Sequence, residues 1–183
     1  WVVRTDISGN ILWQDTYGGY PILGCNLLGV QQIADGGFVV TGWVQKYDEK
    51  GNNKPDACTL KYSAIGARLW ESLTGGISWD AAAALEKIPG GIGYILTGMT
   101  QSDEIPDDTV IQTVGDFDVY VGVLDADGTC IYQERRGGLD LDDGGNALVN
   151  TYNDGNLNGF VIAGQKGIAA THDIYLLRYD MSE

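Results

Sequence analysis

The residues of this chain best suited to chemistry are carboxylates. The run LDLDDGG places Asp140, Asp142 and Asp143 within a few positions of one another and beside two glycines. Acids gathered in a turn are either solvated charge or a seat for a hard cation, because Ca2+ takes several oxygen ligands at once. A second acid pair, Asp125-Ala126-Asp127-Gly128, opens like a twelve-residue calcium loop, but such a loop closes on a Glu at its twelfth place. Arg136 stands there. The corresponding stretches Asp6-Ile7-Ser8-Gly9 and Ser63-Ala64-Ile65-Gly66 mark the position as a hairpin turn. The motifs therefore call for no cofactor, and calcium is the one ion that the acids would admit.

Acids could also act in pairs on a glycosidic bond, where two carboxyl groups must stand at a fixed separation in space. Spacing along the chain does not set that separation. The single His172 has no Ser or Cys nucleophile patterned near it, which lowers the case for acyl-transfer hydrolysis. Cys25, Cys58 and Cys130 fall at unlike points of the chain and form no CxxC, so neither a zinc set nor a repeated disulfide is indicated. Three free thiols are expected. Cys58 and Cys130 lie in apolar strand patterns that suggest burial, whereas Cys25 falls in a loop.

Charge narrows the partners. Asp and Glu number 25 against 11 Lys and Arg, for a net charge of −14. Nucleic acid is disfavoured, because affinity for a polyanion comes mainly from basic side chains neutralising phosphates. Anionic lipid is disfavoured for the same reason, and no apolar run is long enough for a membrane-spanning helix. Such a surface suits a soluble extracellular setting, a cationic partner, or divalent ions.

The elements that must position these residues are repeats. WVVRTDISGNILWQDTYGG from Trp1, CTLKYSAIGARLWESLTGG from Cys58 and YVGVLDADGTCIYQERRGG from Tyr120 are three versions of one segment, and YLLRYDMSE from Tyr175 begins a fourth. The starts lie 57, 62 and 55 positions apart (1 to 58, 58 to 120, 120 to 175). Periods of this size signal propeller blades or solenoid units. Within each period, four short strand-like segments alternate with Gly, Asp, Asn and Pro, which indicates an all-β fold. In the second period these are ACTLKYS, ARLWESL, AAAALEKI and GYILTGM. AAAALEK has helical propensity, but its register with GVQQIA and NALVNTY makes it a strand. Trp13, Trp70 and Tyr132 share one repeat position, where a bulky aromatic is expected to fill the space between packed sheets.

The pattern of hydrophobics, Lys or Arg, Asp, SGN, ILW, YGG and then ADGGFVVTG closely resembles the bacterial and archaeal cell-surface β-propeller repeat, over essentially the whole of residues 1–183. The Asp that usually follows Gly-Gly in that family is matched by Asp80 and Asp142 and is missing between Tyr20 and Asn26. The resemblance implies a β-propeller-like array of four-stranded antiparallel blades. It also implies a secreted or surface-anchored protein. If GVQQIA is the innermost strand of a blade, the chain supplies two outer strands, two complete blades and three inner strands. About three repeats are too few for a usual ring. The expectation is one repeat region, part of a longer or open propeller that associates with itself or with the rest of a longer chain.

In that register the loops between second and third strands and the crossings between blades share one face, rich in acids. The candidate binding residues there are Tyr47, Trp79, Asp80, Asp107, Asp108, Asp140, Asp142 and Asp143. The leading functional expectation is a non-enzymatic surface module that binds a protein or glycan on this face. A carbohydrate-active propeller and a structural spacer in a large secreted protein are the alternatives.

Overall fold

The computed structural model describes residues 1–19, 21–46, 54–103, 105, 116–137, 142–168 and 171–180. The described residues are all-β and form four antiparallel sheets. The first pairs β1 (Val2–Thr5) with β2 (Ile11–Asp15). The second holds β3 (Ile22–Gln32), β4 (Phe38–Lys46), β5 (Pro55–Tyr62) and β6 (Arg68–Thr74). The third holds β7 (Asp80–Ile88), β8 (Gly93–Thr100), β9 (Asp118–Asp125) and β10 (Cys130–Arg136), and the fourth β11 (Gly144–Asn153), β12 (Asn156–Ile168) and β13 (Thr171–Asp180). Strands pair in chain order throughout, giving the partition of two, four, four and three that the repeat register implies. The only helical turn among the described residues is a 3-10 turn at Pro89–Gly91, and no described helix is long and apolar enough to cross a membrane.

Local chemistry explains the hairpins. At the first turn, Oδ1 of Asp6 accepts the amides of Ser8 and Asn10, both at 2.9 Å. Oδ1 of Asp125 does the same for Asp127 at 3.0 Å and Thr129 at 2.8 Å. Both acids are thereby bound into their own turns, as Asx-type turns require. Between β11 and β12 the two-residue loop Asp154-Gly155 takes φ values of 48° and 82°, the left-handed pair that matches strand twist.

Each pair of neighbouring sheets encloses its own core. Tyr17, Val40, Val44, Leu60 and Tyr62 fill the space between the first and second sheets. Val39, Ala82, Leu85, Leu96 and Tyr120 fill the next, and Ile95, Val119, Val121, Phe160 and Ile162 the last. Alternation along β9 supplies both sides of the third sheet, with Tyr120 and Leu124 pointing one way and Val119 and Val121 the other. β7 touches strands of both flanking sheets. Its alanines, among them the buried Ala81 and Ala82, admit that close approach, so packing overrides their helical preference.

The recurring aromatic behaves as expected at two of its three positions. Trp13 lies against Gly66 of the next sheet's turn, donates Nε1–H to the Ala64 carbonyl at 3.1 Å and stacks on Tyr62. Trp70 lies against Gly128 and meets Tyr94 edge to face. Tyr132 departs from the pattern, with half of its surface exposed and its hydroxyl donated to Glu134. Residues 181–183, which match the Gly66 and Gly128 turns by count along the repeat, lie outside the described residues.

One constraint recurs in three sheets. Gly42, Gly98 and Gly164 sit opposite Leu27, Ala82 and Gly145, each followed by a β-bulge in the first strand of its sheet. A Cβ at any of the three would overlap a carbonyl oxygen across the ladder, that of Asn26, Ala81 or Gly144. Only glycine allows the two backbones this approach.

Cys58 is placed as expected, and Cys25 and Cys130 are not. Cys25 is half-buried within β3, Cys58 is fully buried, and Cys130 is exposed because it opens a strand near a turn; all three are free. Burial is the main cause that pushes the Cys58 thiol up to about 12.

Two outcomes follow. Gly98→Ala should cost about 3 kcal/mol in urea unfolding. Gly24→Ala, whose added carbon would meet only ordinary contacts from 3.5 Å, should cost far less, and equal losses would refute the close-approach argument. Thiolate is the reactive form, so at pH 8 an aromatic disulfide reagent should label Cys130 first and Cys58 only after unfolding. Peptide mapping that finds Cys58 labelled as fast as Cys130 would contradict the burial.

Candidate functional site

At the ends where β4 finishes and β7 and β9 begin, three half-buried aromatic rings form a row. The Trp43 and Trp79 centroids lie 6.3 Å apart, and Trp79 meets Phe117 edge to face at 5.0 Å. The row spans the second and third sheets, because Trp43 lies in the second half of β4 while Trp79 and Phe117 immediately precede β7 and β9. Its far end continues to the fourth sheet, where Oδ1 of the exposed Asp142 accepts the Phe117 amide at 3.1 Å.

The crossing that carries Trp79 is pinned by Asp80. This residue is fully buried, and its carboxylate accepts the Gly76 amide at 2.7 Å, the Ser102 hydroxyl at 2.9 Å and the Thr100 hydroxyl. Ser102 in turn accepts the Ser78 amide at 3.0 Å, and the Trp79 carbonyl accepts the Gln101 amide at 2.8 Å. The Asp80 carboxylate is thus an internal fastener. It holds both strands of the crossing and so sets where the Trp79 indole stands.

The ladder corrects one equivalence read from the repeat. Counting from Gly-Gly matches Asp80 with Asp142. Counting from the bulge matches Asp80, two residues before Ala82, with Asp143, two residues before Gly145. Burial agrees: Asp143 is almost wholly enclosed, as Asp80 is, and its Oδ1 accepts the Gly167 amide at 3.1 Å. The third crossing is one residue longer, which leaves Asp142 outside. The same count places Cys25 at this position in the second sheet, opposite Val44 and two residues before Leu27. There the thiol donates to the Tyr17 carbonyl at 3.2 Å, tying its crossing by a different bond.

Other acids at this end are also engaged. Arg135, which is itself buried, reaches Asp103 at 3.1 Å and Asp118 at 3.2 Å. A guanidinium enclosed between carboxylates is costly to break, since removing one partner strands a buried charge.

Of the residues expected to bind, the structure therefore brings Trp79 and Asp142 to the surface and places Asp80 and Asp143 inside. Tyr47, Asp107, Asp108 and Asp140 lie outside the described residues. Among the described residues, no three of His, Cys, Asp and Glu gather as metal ligands. Trp43 and Phe117 were missed by the sequence reading. Trp43 was legible only as part of the FVVTGWV strand, and nothing in the pattern aligned Phe117 with it. No protein-family model and no curated protein matches the chain.

Asp80→Asn would turn a donor toward the donors that surround the carboxylate, and should lower unfolding stability by about 2 kcal/mol. Asp142→Asn keeps its acceptor at the surface and should cost well under about 1 kcal/mol. Parallel denaturant titrations of the two variants check this; equal losses would remove the distinction between them.

Proposed function

We propose that the chain is a run of cell-surface β-propeller repeats whose sheets serve as blades, and that it binds an extracellular partner at the loop end without catalysing a reaction. The observation that carries this reading is the Trp43–Trp79–Phe117 row beside Asp142. Sheets stacked in chain order, each interface with its own core, support the propeller. The resemblance of the repeats to the cell-surface family supports the setting.

Among the described residues, the state of the acids favours binding over glycoside hydrolysis. A hydrolase needs two carboxyl groups facing a substrate. At this end Asp80 and Asp143 are buried in hydrogen bonds, while Asp103 and Asp118 are held by Arg135. The partner is a protein or a glycan. The aromatic row favours the glycan as the second reading, because indole rings offer flat apolar faces with a polar N–H at the edge. The excess of acid favours a cationic ligand or one bridged by a divalent ion such as calcium, with attraction that weakens as salt rises. Unpaired strand edges of β1 and β13 are surfaces for self-association or for more of the same chain.

The test is calorimetric titration with neutral gluco-oligosaccharides, glucosamine oligomers and oligolysine, at low and high salt. One of these ligands should bind, Trp79→Ala should weaken it at least about tenfold, a loss of about 1.4 kcal/mol, and Asp142→Asn should flatten the salt dependence. Binding unchanged in both variants, or release of cleaved sugar, would overturn the proposal.

A further inference from the structure

The opposite end of the molecule carries a different chemistry. Between the hairpin turns of the second and third sheets lies a cleft of about 480 Å3, within the range that holds small-molecule ligands. Two lysines line it, Lys61 from β5 and Lys87 from β7. Neither has an ion-pair partner among the described residues. In this they differ from Lys46, Arg68, Arg136 and Arg178, which pair with Glu71, Asp15, Glu134 and Asp180. Two lysines without ion pairs on the wall of one cavity bring positive charge to it in a negative molecule.

The rest of the lining adds an orientation. Ile33 and Ala126 give it apolar wall, and Tyr94 reaches it from β8. Burial and the nearby Asp35 raise the Tyr94 phenol above its usual range, so it stays protonated as a donor. Asp35 also lines the cleft, with Oδ1 turned to the Gly37 amide at 2.7 Å. Two lysines and one aspartate leave the site with one net positive charge. A monoanion balances that charge. A dianion would leave an excess beside Asp35.

We propose that this cleft binds a small monocarboxylate carrying one ring, its carboxylate between Lys61 and Lys87 and its ring against Ile33 and Tyr94. The site is separate from the aromatic row and uses none of its residues.

The experiment is titration of the chain with benzoate, glucuronate and inorganic phosphate, followed by calorimetry and by the amide resonances of residues lining the cleft. Benzoate tests an apolar ring, glucuronate a hydroxylated one, and phosphate the charge alone. At least one carboxylate should bind more tightly than phosphate and shift signals from Lys61, Lys87 and Tyr94. Lys61→Met and Lys87→Met, which keep the aliphatic stems, should each weaken it about tenfold or more, and Lys87→Arg should retain binding. Unchanged melting temperatures establish that the variants are folded. Phosphate binding as tightly as both carboxylates, no binding by either, or binding indifferent to both methionine variants would overturn the proposal.

Discussion

Everything at the loop end depends on how closely two backbones approach at Gly42, Gly98 and Gly164. Because no side chain intervenes there, the first strand of each of these sheets can bulge against the second and still keep its ladder. The bulge fixes the register of that strand. The residue two places before the glycine's partner is Cys25, Asp80 or Asp143, and in each case its side chain bonds backbone of a crossing or of the neighbouring strand. A crossing held in this way carries Trp79 to a defined place beside Trp43 and Phe117. Removing the glycine would disturb the register, then the fastener, then the aromatic row.

This chain of dependence changes the meaning of the acids. A net charge of −14 suggests an acidic surface waiting for a cation. Among the described residues, much of the acid at the loop end is instead structural, since the Asp80 carboxylate receives three hydrogen bonds and Arg135 is clasped between Asp103 and Asp118. Low dielectric makes such bonds strong and makes their loss expensive. What remains outward among the residues singled out is an aromatic surface with Asp142 at its side. The other end of the molecule shows the reverse arrangement, two lysines without ion pairs at a cleft in an otherwise acidic protein.

Repeat period and turn chemistry were legible in the sequence because they are local. Asp-x-x-Gly turns, the Asp-Gly loop before β12 and the alternation along β9 each follow from neighbouring residues. The partition of strands among sheets was legible for the same reason, since consecutive strands pair. The site was legible only in part. Trp79 could be placed on the loop face by register, but its contacts with Trp43 and Phe117 join residues far apart in sequence and on different sheets. The equivalence of Asp80 with Asp143 was hidden by one extra residue in the third crossing, and a count from Gly-Gly cannot see a bulge. Cys130 looked buried from an apolar strand pattern, whereas its place at the strand's start leaves it exposed.

The central claim is that ligand meets the loop end at the Trp43–Trp79–Phe117 row. The chain contains 5 tryptophans, so its indole N–H signals can be resolved and assigned individually by nuclear magnetic resonance. On titration with the oligosaccharide or oligolysine that binds, the Trp43 and Trp79 signals should move together along one saturation curve. Trp13 and Trp70, packed against glycine turns between sheets, should stay in place. Movement of Trp13 and Trp70 with Trp43 and Trp79 unmoved would contradict the account.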